Sequence, residues 1–192
     1  MKALEEKIVK EGTVLPGNIL KVNSFLNHRI DASFIMEMGD EIASLFREDN
    51  PTLVLTIETS GIAIAMAAAV KLGIPLVFAK KHKSGNLSGD LYKTVVHSYT
   101  HGTDYTVVVE KKFLKETDRV LIVDDFLANG KALEGLMDIV SQSGATTVGT
   151  SCAIEKGFQK GGDNLRQQGV KVCSLAIVDA MDDCGNITFR KQ

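Results

Sequence analysis

Short apolar runs rich in β-branched residues recur along this chain, and between most of them lies a segment patterned for a helix. The runs are TLVLTI (52–57), PLVFAKK (75–81), RVLIVDD (119–125), TTVGTSCAIE (146–155) and VKVCSLAIV (170–178). Each is short and nearly continuous in apolar residues, the mark of a strand buried on both faces. IAIAMAAAVKL (62–72), ended by Gly73, and KALEGLMDIVSQ (131–142), closed by Gly144, read as helices. Residues 158–168 suit a shorter helix before Gly169. This alternation predicts an α/β fold: a mostly parallel, twisted sheet with helices on both faces and right-handed crossovers.

The pattern is less regular elsewhere. Residues 2–11 read as a charged helix stopped by Gly12, and residues 13–30 show no clear period. Asp31 can cap a helix over about 32–48, where Phe34, Ile35, Met38, Ile42, Leu45 and Phe46 form one stripe. HKSGNLSGD (82–90) has little to bury and reads as a mobile loop. YKTVVHSYT (92–100) and DYTVVVEKK (104–112), joined by HGT, resemble a hairpin, and NITFRK (186–191) a small terminal strand.

At 192 residues the chain suits a single domain, and no repeat or linker divides it. With 22 basic and 24 acidic residues its net charge of -2 gives no general reason to expect nucleic acid. The opening MKALEEKIVKEGTVL is charged throughout and has no apolar core, so no signal peptide is expected. No run approaches the roughly 20 apolar residues of a membrane span. Cys152, Cys173 and Cys184 form no CxxC pair and read as reduced thiols filling the core of a cytoplasmic protein. His28, His82, His97 and His101 show no metal spacing.

In open α/β sheets, ligands bind beyond the carboxyl ends of the strands. Two loops there are unusual: ETSG (58–61) after the first strand of the alternation, and DDFLANG (124–130) after the aliphatic run 120–123. Each has small residues and leads into a helix, whose first N–H groups favour an anion. The second loop lacks the GK[ST] ending of a P-loop and is not GxGxxG. Asp124 and Asp125 repel anions, so beside such a cradle they suit sugar hydroxyls, or a hydrated Mg²⁺ that bridges to phosphates. A helix cap in a solvated turn is the plainer reading of the same residues. Strand alternation points the two carboxylates to different sides.

Residues 120–132 resemble the phosphoribosyl diphosphate (PRPP) motif of the type I phosphoribosyltransferases: a run of aliphatics, two acids, then a small-residue loop into a helix. The resemblance extends through ILKVNSFLNH (19–28), IETSGIA (57–63), FAKKHKS (78–84), DDFLANGKA (124–132) and AIEKGF (153–158) to nearly the whole chain, on the side of the purine-using, xanthine-specific branch. It implies a sheet with an inserted flexible loop and hairpin at about 82–112, and a small hood from about 1–30 plus a C-terminal segment.

It also implies a reaction, transfer of the phosphoribosyl group of PRPP to xanthine, with Mg²⁺ accompanying PRPP and no dedicated metal site identified. Asp124 and Asp125 are then the catalytic pair, holding the ribose hydroxyls. Ala128, Asn129, Gly130, Lys131 and Ala132 cradle the 5′-phosphate. Glu58, Thr59, Ser60 and Gly61 meet the diphosphate, helped by Lys80 and Lys81, and the loop 82–91 closes as a lid. Leu20 and Asn27 of the hood, Lys156 and Phe126 belong to xanthine, Asn27 bonding its second oxygen. Many family members carry Thr, Gly and Thr or Ser where this chain has Asn129, Lys131 and Ala132. Its phosphate grip should therefore rest on backbone N–H groups and the Asn129 amide. A homodimer is implied. The other readings are a guanine or hypoxanthine enzyme and a PRPP-sensing, nucleic-acid-binding regulator of the same fold.

Overall fold

The computed structural model describes residues 1–82, 89–98, 103–182 and 184–192. The chain opens with helix α1 (Lys2–Glu11), the antiparallel strands β1 (Thr13–Leu15) and β2 (Ile19–Lys21), and a π-helical turn at Asn23–Asn27. The aperiodic stretch 13–30 is thus ordered. Its strands have three residues each, too few for alternation to show, and the signal was Pro16-Gly17-Asn18. Gly17 and Asn18 turn the chain with φ of 83° and 60°.

Helix α2 (Ala32–Phe46) begins as expected, with the Asp31 carboxylate accepting from the Phe34 N–H at 3.2 Å. Then follow β3 (Leu53–Ile57), α3 (Gly61–Leu72), β4 (Leu76–His82), β5 (Leu91–Ser98), β6 (Thr103–Glu110), β7 (Arg119–Leu127), α4 (Lys131–Gln142), β8 (Thr146–Lys156), α5 (Gly161–Gln167), β9 (Val172–Met181) and β10 (Ile187–Phe189). The expected lid falls mainly on residues 83–88, and the tip of the hairpin on 99–102; both lie outside the described residues. The C-terminal segment pairs with the main sheet through β10 and β9.

The large sheet has the order β10-β9-β8-β7-β3-β4-β6-β5. Neighbours from β9 to β4 are parallel, and β10 and the β5–β6 hairpin add antiparallel edges. Alternation along the strands divides the core. Val54, Leu121 and Val123 face α2, α3 and the N-terminal segment. Leu53, Leu55, Val120 and Ile122 face α4, α5 and the hairpin. Burying apolar surface on both faces, at about 25 cal/mol per Å², is what fixes the register. A slip of one residue would exchange the two sets. Cys152 is buried, but Cys184 is exposed near the C-terminus, so core filling does not explain all three thiols.

One boundary matters for the site. The strand was expected to end at Asp125, but β7 continues through Leu127, pairing Asp124 with Cys152 and Phe126 with Ile154. The acidic pair therefore stands inside a strand, and only residues 128–130 form the loop before α4. The run of paired backbone groups holds the carboxylates more firmly than a turn would.

Candidate active site

The sheet order reverses direction between β3 and β7: from β3 the chain crosses by α3 to β4 on one side, and later enters β7 on the other. Their carboxyl ends carry 58–61 and 124–130. This is the switch point at which open α/β sheets bind ligands.

The expected separation of Asp124 and Asp125 fails: the two carboxyl side chains interact directly, because the alternation of β7 breaks here, with Val123 and Phe126 on one face and Ile122 and Leu127 on the other. Asp124 is 5% exposed, and one of its carboxylate oxygens accepts from the Asp125 N–H at 2.9 Å. It lies against the start of α3: a Cβ on Gly61 would come within 2.7 Å of its Oδ1. Burial pushes the Asp124 carboxyl well above the usual carboxylate range, the Asp125 charge adds to this, and Lys81 opposes it. The Lys81 ammonium sits 5.2 Å from the Tyr105 ring centroid. Burial and the Asp124 charge both raise the Tyr105 phenol. Asp125 faces the N-terminal segment, where the Asn27 amide donates to its Oδ2 at 2.5 Å.

Strand alternation separates Lys80 from Lys81. Lys81 shares a side with Asp124 and Tyr105, whereas Lys80 lines a groove of about 590 Å³ on the other side, with Phe78, His82, Glu110 and Phe113. Glu58 turns inward to accept from the Lys81 N–H at 2.6 Å, so its carboxylate braces the end of β4. The Glu58–Thr59 peptide is cis. Thr59 is exposed, and Ser60 precedes the first turn of α3.

Ala128, Asn129 and Gly130 bring the chain into α4, Gly130 with φ 87°, a backbone that L side chains rarely adopt. The Asn129 Oδ1 accepts from the Lys131 N–H at 3.1 Å. This side chain therefore caps its own loop with its oxygen, and its N–H₂ is the part left to meet an anion. The Lys131 ammonium pairs with Glu134 at 2.6 Å. Ala132 follows in the first turn, where N–H groups lack intrahelical acceptors.

On the far side of β7, the Lys156 ammonium lies 5.9 Å from the Phe126 ring centroid and donates to the Asn18 carbonyl at 3.2 Å. Burial lowers the Lys156 pKa below the ordinary lysine value. Leu20 is buried two residues beyond Asn18 in β2. Asn27 is committed to Asp125 through its Nδ2, and its Oδ1 is buried with no hydrogen-bond partner. The structure thus brings Lys156 and Phe126 to the N-terminal hairpin, and Asn27 to the acidic pair.

Sequence reading missed Tyr105 and the Asn18 carbonyl. Tyr105 was recoverable from the hairpin, since its β6 register puts it on the Lys81 side. The carbonyl has no side-chain signature at all. Among the described residues no group of three or more His, Cys, Asp or Glu could hold a metal ion.

The chain is a member of the phosphoribosyl transferase domain family, whose model matches residues 28–179. Among individual proteins, it is 51% identical over 191 residues to the xanthine phosphoribosyltransferase of Lachnoclostridium phytofermentans, covering 99% of this chain and 98% of that one. It is 53% identical to the xanthine phosphoribosyltransferase of Bifidobacterium longum, covering 99% and 100%, and 49% identical to that of Bacillus mycoides, covering 100% and 97%. Among solved structures it is similar to the adenine phosphoribosyltransferase of Giardia lamblia complexed with 9-deazaadenine, with TM-score 0.73 and 21% identity over 88% of this chain and 93% of that one. That likeness shows a shared fold. Among the described residues no helix is long and apolar enough to cross a membrane.

Proposed function

We propose that this protein transfers the 5-phosphoribosyl group of PRPP to xanthine, giving xanthosine 5′-monophosphate and diphosphate. The observation that carries the reading is what gathers at the end of β7: Asp124 and Asp125, Phe126 with the Lys156 ammonium 5.9 Å from its ring centroid, and the loop 128–130 that follows. These suit a ribose, a base and a phosphate. The names of relatives at about half identity over the full chain favour xanthine over guanine or hypoxanthine.

In this reading the first-turn N–H groups of α4 and the Asn129 N–H₂ hold the 5′-phosphate. Glu58 to Gly61 and Lys81 receive the diphosphate, with Lys80 a lesser partner because it faces away. Asp124 and Asp125 accept from the ribose hydroxyls. As diphosphate leaves the anomeric carbon and a base nitrogen attacks, positive charge grows on the sugar, as in other glycosyl chemistry. Catalysis then rests on positioning and on charge placed beforehand. Phe126 offers its face to the purine, Lys156 an ammonium to an exocyclic oxygen, and Leu20 and Asn27 close over the base. Mg²⁺ would arrive with PRPP as the counter-ion of its diphosphate.

The test is nucleotide formation from PRPP with xanthine, guanine, hypoxanthine and adenine, each with and without Mg²⁺. The expected result is Mg²⁺-dependent turnover with kcat/KM highest for xanthine. A preference for adenine would sink the reading.

We also infer a cytoplasmic homodimer. Exposed apolar side chains on α3 and β4, namely Met66, Val70 and Phe78, offer surface for a second copy to cover. The free thiols suit a reducing compartment. Sedimentation equilibrium should give twice the chain mass, and a monomer at micromolar concentration would refute the dimer.

A further inference from the structure

Glu155 is fully buried. It precedes Lys156 in β8. Both of its oxygens are occupied: the Arg166 guanidinium donates to Oε1 at 2.9 Å and to Oε2 at 2.7 Å, and the Ser174 hydroxyl donates to Oε2 as well. Cys152 in turn donates to the Ser174 oxygen at 3.3 Å. A buried carboxylate needs such partners, because an unpaired charge there is costly. The forked geometry also fixes where Arg166, and with it α5, must lie.

The same carboxylate presses on the start of α5. A Cβ on Gly162 would come within 2.5 Å of the Glu155 Cδ, so the helix can approach only with glycine there. The residue before it, Gly161, meets the loop ahead of α4. Its N–H donates to the Ala128 carbonyl at 3.2 Å, and a Cβ on it would lie 2.5 Å from both the Asn129 carbonyl carbon and the Gly130 nitrogen. One continuous contact path therefore runs from Arg166 and Glu155 through Gly162 and Gly161 to the backbone of residues 128–130.

We propose that the Glu155–Arg166 pair, acting through Gly161, positions the 128–130 backbone for the 5′-phosphate of PRPP. Glu155, Arg166 and Gly161 are positioning residues; none touches the reacting atoms. This rests on the function proposed above, in which that loop cradles the phosphate. It suits a loop that carries Ala128, Asn129, Gly130, Lys131 and Ala132 and so has no hydroxyl of its own. A grip made mainly of backbone N–H groups works only if the backbone is held still, and here α5 is its support.

The test is a split in Michaelis constants. Gly161→Ala forces a methyl group into the loop, and the KM for PRPP should rise about tenfold or more, while the KM for xanthine changes by less than about twofold. Glu155→Gln keeps the shape and removes the charge. It should show the same split at about three- to fivefold, and Arg166→Lys, which keeps the cation but loses the fork, should fall between it and wild type. Thermal unfolding of each variant separates this from simple destabilisation, which lowers the melting temperature without sorting the two substrates. If Gly161→Ala does not fold, Glu155→Gln decides alone. Folded, active variants with an unchanged KM for PRPP, or with the loss on xanthine, would overturn the positioning role. A wild-type enzyme without PRPP-dependent turnover would overturn the functional reading itself.

Discussion

Replacing Asp124 and Asp125 together by Asn should lower kcat/KM by about 10²- to 10³-fold or more, the usual scale for removing charge placed opposite a developing one. The size follows from how the pair is held. Asp124 is buried, next to another carboxylate, and its proton affinity is raised by both facts. Ionising it costs free energy in the free enzyme. A sugar that becomes cationic offsets that cost, and does so more in the transition state than with bound PRPP, which is the condition for accelerating chemistry. Asn keeps the shape and some hydrogen bonds but supplies no charge. The single variants should differ. Asp124→Asn should act mainly on kcat. Asp125→Asn also disturbs the partner of the Asn27 amide and should raise the KM for xanthine as well.

The pH profile carries the same signature. Asp124 must be ionised to act, and its raised pKa means that activity is present above that pKa and lost as pH falls through it. The acid limb should therefore lie above the ordinary carboxylate range. Among the described residues, Asp125, Lys81, Tyr105 and the buried Cys152 thiol are the titratable groups that bear on Asp124. The limb should disappear in Asp124→Asn, measured as kcat/KM against pH. Wild-type kcat/KM in the double variant would remove both aspartates from the mechanism.

Much of this site could be read from residue order because it is built on strands. The period of two separates Lys80 from Lys81 in β4. It fails at Asp124 and Asp125, whose side chains interact directly where the alternation of β7 breaks. What could not be read were contacts between elements distant in sequence. The Asn27–Asp125 bond joins residues 98 apart, and the Lys156–Asn18 bond residues 138 apart. Nothing local marks either one. The end of β7 was misplaced for a related reason: two acids and a small-residue loop look like a turn, yet pairing with β8 carries the strand through Leu127. Tertiary pairing overrode local composition. The N-terminal hairpin was hidden by the shortness of its strands. Nothing in AIEKGF marks Glu155, because its buried pairing needs Arg166, eleven residues on, and Ser174 across the sheet.

Lys156→Met should raise the KM for xanthine by about 10²-fold, with the KM for PRPP within about twofold. The estimate corresponds to about 3 kcal/mol, within the range for a charged hydrogen bond that leaves its partner unpaired. Three features of the structure support it. The ammonium stands near the Phe126 ring, it is held by the Asn18 carbonyl, and its pKa is lowered by burial. A poorly solvated cation gains more from an exocyclic oxygen than a hydrated one does. The lowered pKa also fixes the direction of the pH effect. Lys156 is charged below its pKa and neutral above it, so kcat/KM for xanthine should fall on the alkaline side at a pH below the ordinary lysine range. Lys156→Arg separates this from ionisation of xanthine itself: a guanidinium stays charged, so any alkaline limb left in that variant belongs to the substrate. The ratio of the two profiles should therefore fall with rising pH. A flat ratio, or a Lys156→Met enzyme whose loss falls on PRPP, would place this ammonium outside the base site.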